Sequence, residues 1–150
     1  MKIIIKILVL IFLIFLLIGC SPAPIKVAIN PAYQLNPDQQ NKSLPVEVKL
    51  YQLRDKDAFL QATFRELWQQ DTTTLGKSLL DKHAIMVSPG VRTNRSITRN
   101  KDCQYLGVVA VFRRPWSSDW RVLGEVKGHS TLFPLTIKIK MYHDKVILDK

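Results

Sequence analysis

Tyr105-Leu106-Gly107-Val108-Val109-Ala110-Val111-Phe112 is apolar at odd and even positions alike. A run this short and rich in β-branched residues predicts a central strand covered on both faces. Arg113-Arg114-Pro115 closes it, and residues 120–126 are expected to return as a strand. Further towards the end, Ile137, Ile139 and Met141 alternate with Lys138, Lys140 and Tyr142, the period of a strand with one wet face. Val146 to Leu148 is expected to fold back beside it. On the other side, Ile25, Val27 and Ile29 alternate with Lys26, Ala28 and Asn30, with Pro31 ending or edging that strand. Val46, Val48 and Leu50 alternate with Glu47, Lys49 and Tyr51 in a strand expected over 45–53. Residues 83–87 and 91–97 read as two more strands about a Pro89-Gly90 turn. Short strands with polar connections form the pattern of a β-sandwich.

One segment departs from it. Leu60, Phe64, Leu67 and Trp68 fall at i, i+4, i+7 and i+8, which predicts a helix with Asp57 at its cap. A second, shorter helix is expected over 74–82, carrying Leu75, Leu79 and Leu80 with Gly76 inside it. The helical insertion thus occupies about 57–82. Between the first two strands, Asn36-Pro37-Asp38-Gln39-Gln40-Asn41-Lys42-Ser43 has no apolar residue except proline and is dense in turn formers, so it is expected as an exposed loop.

The first nineteen residues belong to a different class of sequence. Lys2 and Lys6 precede an apolar run from Ile7 to Ile18, which stops at Gly19-Cys20, the order of an export signal. The run is about 18 Å long as a helix, short of the roughly 30 Å of a hydrocarbon core. Ser21-Pro22-Ala23-Pro24 would end any helix that followed. Leu17-Ile18-Gly19-Cys20 resembles the bacterial lipobox, which implies removal of residues 1–19 and covalent diacylglycerol and N-acyl chains on Cys20. Two or more acyl chains hold a protein firmly to a bilayer. Ser21 stands where an aspartate would resemble the inner-membrane retention signal, so the resemblance points to the outer membrane and its periplasmic face. The expected organisation is signal peptide 1–19, lipidated Cys20 and tether 20–24, and one β-sandwich domain 25–150, a length typical of a single core.

The chain has 22 basic and 12 acidic residues, a net charge of +10. The positive residues are scattered, as in Lys138, Lys140 and Lys145, without the aromatic interleaving of a nucleic-acid surface. Export also argues against nucleic acid. With Cys20 acylated, Cys103 has no partner in the chain, and its place before an apolar strand predicts a buried residue at the core edge. His83, His129 and His143 are far apart and lack a second ligand at i+3 or i+4, so no metal is expected. No phosphate-cradling glycine loop or nucleophile elbow occurs. Ser118-Asp119 with His129 is an adjacency that turns produce by chance, and Asp55 and Asp57 are explained by a helix start. No catalysis, cofactor or small-molecule substrate is expected.

A lipobox Cys20 and one strand are followed by Leu35-Asn36-Pro37-Asp38, then Pro45-Val46-Glu47-Val48-Lys49-Leu50-Tyr51-Gln52-Leu53, Phe59, Phe64 and Leu75-Gly76. Pro89-Gly90, the run from Tyr105 to Arg113, and Trp120-Arg121 complete the series. Features in this order resemble the type VI secretion system outer-membrane lipoproteins, the TssJ (SciN) family. The resemblance implies a transthyretin-like β-sandwich with an added helical element. It also implies a partner-binding loop between the first two strands, here Asn36 to Ser43, for the periplasmic C-terminal region of a TssM-like inner-membrane protein that forms a complex with TssL. A lipoprotein pilotin and a lipid-anchored periplasmic ligand-binding protein share the anchor and are the alternative readings.

Overall fold

A computed structural model describes residues 4, 6, 21–115 and 118–149. The signal segment, Cys20 and the proposed cleavage point lie outside these residues, apart from Ile4 and Lys6. Among the described residues no helix is long and apolar enough to cross a membrane.

Two four-stranded sheets pack face to face. The strands are β1 (Ile25–Leu35), β2 (Val46–Leu53), β3 (Leu79–Val87), β4 (Thr93–Ile97), β5 (Tyr105–Val111), β6 (Arg121–Glu125), β7 (Leu135–His143) and β8 (Lys145–Asp149). One sheet has the order β4-β1-β7-β8, with β1 and β7 parallel; the other, wholly antiparallel, is β3-β2-β5-β6. Ile25, Val27 and Ile29 with Ile137, Ile139 and Met141 supply the apolar face of the first sheet. Val48 and Leu50 sit beside Ala110 and Val108 across the β2–β5 ladder of the second. The expected mostly β sandwich is the observed architecture.

The apolar run of β5 is covered on both sides. One face meets the opposite sheet; on the other, Phe59 lies over Gly107, where an added Cβ would come within 2.7 Å of the ring. β1 continues through Pro31 to Leu35 instead of ending at the proline. Its neighbour β4 begins opposite Ile29, so beyond that residue β1 has a paired strand on one side only, a place where proline is tolerated.

The helical insertion differs from expectation. It comprises α1 (Asp57–Gln61), α2 (Phe64–Gln69), α3 (Asp71–Leu75) and a 3₁₀ turn at Gly76–Ser78. Asp57 is not the cap of a long helix: Lys56 stands at the N-cap of α1 without a side-chain cap bond, and Asp57 occupies the first turn. The chain breaks at Ala62, which is extended, and Thr63 then caps α2 in a reciprocal capping box with Glu66. Arg121 stabilises the break, because its guanidinium donates to the carbonyls of Phe59, Leu60 and Ala62, each at 2.6 Å. Phe59 and Leu67 point inward, whereas Leu60 and Trp68 are exposed. The second expected helix, 74–82, is overturned by Gly76, whose φ of +48° stops α3 and leaves Leu79 to begin β3.

Strand direction sorts the connections between two ends. The tether at 21–24, the β4–β5 connection at 98–104 and the β6–β7 connection at 126–134 gather at one end. The β1–β2 loop, the β3–β4 turn, the β5–β6 connection and the β7–β8 turn gather at the other.

Candidate functional site

Asn36 roots the β1–β2 loop. It is buried with φ +48°, a left-handed conformation that asparagine adopts more readily than most residues. Its backbone N–H donates to His143 O at 2.6 Å, its Nδ2 donates to Pro45 O at 3.0 Å, and its Oδ1 accepts from Arg113 N at 2.9 Å. One side chain therefore ties both ends of the loop to the segment that leaves β5. Leu44 N donates to Leu35 O at 3.0 Å and closes the loop from the other side.

Asp38 organises the tip. Its Oδ1 accepts from the backbone N–H groups of Gln40 and Lys42, both at 2.9 Å. Its own N–H donates to Lys42 O at 2.9 Å, and its carbonyl accepts from Asn41 N at 3.2 Å. Asn41 takes the left-handed conformation, φ +61°, that this tight turn needs. Gln39, Gln40, Asn41 and Lys42 project into solvent, while Pro37, Asp38 and Ser43 are half-buried. The structure thus brings all eight residues from Asn36 to Ser43 together as a self-bonded protrusion. The tip offers amides and an ammonium group, which suit hydrogen bonding to another protein's surface.

The loop has neighbours that sequence reading passed over. Tyr33 is 84% exposed, and its ring lies over Gly90 in the β3–β4 turn. A Cβ at Gly90 would meet that ring at 2.5 Å, and Gly90 has φ +69°, so the position favours glycine for space and for backbone. Asn36 and Pro37 share a small recess with Arg114, His143 and Asp144. The Pro89-Gly90 turn was legible, but nothing in the sequence placed it beside Tyr33.

A second polar cluster lies on the outer face of β2 and β3. Asp71 is buried and accepts from Lys82 Nζ at 2.9 Å, Tyr51 OH at 3.0 Å and Lys49 Nζ at 3.2 Å. Burial pushes its carboxyl pKa up, but the bonds from Lys82, Lys49 and Tyr51 outweigh it and hold the group well below the usual carboxylate range. The same burial and the adjacent Asp71 charge push the Tyr51 phenol far up. Lys49 also donates to Leu67 O and Trp68 O, so the cluster fastens α2 and α3 to the sheet.

The remaining candidates separate. Asp119 pairs with Lys145 at 3.3 Å at the loop end of the sandwich, whereas His129 lies in the β6–β7 connection at the tether end. Asp55 accepts from Ser78 Oγ at 2.7 Å and helps to hold the 3₁₀ turn. Cys103 is buried and donates to Tyr105 O at 3.3 Å; burial pushes its thiol pKa up, away from nucleophilic character. Among the described residues no group of three or more His, Cys, Asp or Glu side chains is placed to hold a metal ion.

Comparison with known proteins bears on this arrangement. A family model described as type VI secretion lipoprotein, VasD, EvfM, TssJ matches residues 23–145. No curated protein matches the sequence significantly. Among solved structures, the type VI lipoprotein TssJ1 from Pseudomonas aeruginosa is similar with a TM-score of 0.72 and 22% identity, over 86% of this chain and 98% of that one. Lip from Serratia marcescens, described as a membrane-bound component of the type VI secretion system, gives 0.76 and 20% over 86% and 99%. A chain in a structure described as the type VI secretion protein TssM C-terminal domain from EAEC gives 0.73 and 19% over 85% and 98%. At these identities the structural likeness establishes a shared fold.

Proposed function

The chain belongs to the type VI secretion lipoprotein family, and from that premise we propose that it is an acyl-anchored docking protein of the outer membrane. Residues 1–19 are removed as a signal peptide, and acyl chains on Cys20 fix the tether 20–24 to the periplasmic leaflet. Residues 25–150 form the folded domain, and the loop Asn36 to Ser43 captures the periplasmic C-terminal region of a TssM-like inner-membrane protein. Through that contact the lipoprotein anchors the TssM/TssL complex. The family is one of secretion-system lipoproteins and not of enzymes, so the mechanism is positioning.

The observation that carries this reading is that the loop is already folded and stands at the end of the sandwich opposite the tether. Acyl chains at one end and a protrusion at the other direct the loop away from the outer membrane, towards a partner rooted in the inner one. A loop whose backbone is held by Asp38 and Asn36 loses little conformational freedom on binding. Confinement to a surface raises its effective concentration for a partner held opposite, so modest intrinsic affinity suffices. The solved structure described as the TssM C-terminal domain holds a chain of this fold, which supports the choice of partner.

Replacing Gln39 to Lys42 by a Gly/Ser segment of equal length tests the loop. Binding to the purified periplasmic region of the partner is expected to be lost with an unchanged melting curve; retained binding would move the interface elsewhere. Cys20→Ser tests the anchor separately, through loss of the protein from the outer-membrane fraction.

A further inference from the structure

Leu132 and Phe133 are 70% and 72% exposed, side by side in the β6–β7 connection. Their exposure is built in, because the backbone around them is fastened on both sides. Arg99 is buried and its guanidinium donates to the carbonyls of Ser130 at 3.0 Å, Val126 at 3.1 Å and His129 at 3.4 Å. Leu132 N donates to Ser130 Oγ at 3.1 Å. The tether completes the frame: Ala23 N donates to Thr131 O at 2.7 Å, and Leu135 N donates to Pro24 O at 3.2 Å. The apolar pair is thus presented outward by a framed loop that runs alongside the first residues of the mature chain.

Chain length then fixes what lies opposite. Cys20 precedes Ala23 by three residues, which span about 10 Å at full extension. Ala23 is bonded to the residue next to Leu132, so acyl chains on Cys20 bring a bilayer surface within reach of this loop. The charge of the surrounding surface matches such a surface. Arg54, Lys101 and Lys127 border a single open recess at this end, to whose lining the buried Arg99 also contributes. Its acidic member, Asp102, pairs with Arg54 at 3.4 Å, and Glu125 lies near Lys127.

We propose that Leu132 and Phe133 insert into the headgroup region of the bilayer that holds the acyl chains, with Lys101 and Lys127 against anionic phosphates, so that the domain is docked as well as tethered. This rests on the Cys20 anchor and adds orientation to it: a body held at two points keeps the Asn36 to Ser43 loop pointing away from the membrane. Shallow insertion of an apolar pair flanked by cations is the usual chemistry of an interfacial contact.

The test uses the lipidated protein in a Cys103→Ser background, reconstituted into phosphatidylethanolamine vesicles with a phosphatidylglycerol minority. A polarity-sensitive fluorophore is attached at Leu132→Cys or, as a control, at Met86→Cys on the exposed far end of β3. The expected result is a blue shift and several-fold brightening at position 132, quenched by headgroup-region nitroxide lipids, with no change at position 86. A probe at 132 that reports water while the protein floats with the vesicles overturns the docking and leaves the anchor standing. A blue shift that needs protein concentration and no vesicles assigns the pair to contact between copies and also overturns it. Failure to float overturns the anchor and the docking together.

Discussion

The backbone N–H of Arg113 donates to Asn36 Oδ1 at 2.9 Å, joining the root of the β1–β2 loop to the segment that leaves β5. The same side chain donates to Pro45 O, so a single residue satisfies a donor and an acceptor that no strand ladder reaches. Asn36→Ala removes both bonds and places alanine at positive φ. Unfolding free energy should fall by about 2–4 kcal/mol, and partner binding should weaken because the loop's exit angle is no longer set. Asn36→Gly relieves the backbone but not the two bonds, so urea denaturation should place it between the wild type and the alanine variant. Equal stability of all three would mean that the clamp contributes nothing.

Much of the sandwich was legible because its strands alternate. Ile25, Val27 and Ile29, or Ile137, Ile139 and Met141, carry their orientation in the sequence, and all six are buried. The helical insertion was less legible because the helical spacing of Leu60, Phe64, Leu67 and Trp68 runs unbroken across Thr63. The capping box of Thr63 and Glu66 was present in the sequence and marks a new helix start. Gly76 stands inside an apolar helical spacing, yet its positive φ makes it the stop. The span of the candidate loop could be read from its turn formers. Its clamp could not, since nothing local links Asn36 to a residue 77 positions away. The same holds for Arg99, which in the polar stretch Thr98-Arg99-Asn100-Lys101-Asp102 has no local mark of the β6–β7 connection folded around it.

Asp71 gives a prediction with a pH signature. Asp71→Asn keeps the shape but removes the charge that Lys49, Lys82 and Tyr51 share. The expected loss is about 1–3 kcal/mol at neutral pH. Removing Lys82, which is half exposed, should cost under about 1 kcal/mol. The folded carboxyl titrates below its unfolded value of about 4, so its contribution is fully present above that value and is lost as pH falls through the folded one. Melting curves should therefore show a constant gap between wild type and variant from neutral pH to about pH 5, closing below about pH 4. A gap that stays constant in acid would show that the carboxyl is not held ionised by its partners.

Gly107 and Phe59 test the coupling of the helical insertion to the sheet. Gly107 stands in the middle of the most buried strand, where a larger residue would ordinarily add to the core. It meets Phe59 instead: a Cβ would lie 2.7 Å from Cε2 and 3.0 Å from Cδ2 and Cζ of that ring. The ring is itself fixed from above, since Arg121 lies 5.8 Å from its centroid while bonding the Phe59 carbonyl, so it has little room to give. Gly107→Ala should destabilise by about 1–3 kcal/mol through overpacking. Phe59→Leu shortens the side chain that occupies the space, and the two changes together should cost less than their sum by about 0.5–2 kcal/mol. Chemical denaturation of the four proteins of the cycle measures this directly. Strict additivity would mean that α1 yields freely over β5, and the insertion would then be a loosely attached cover instead of part of the packed core.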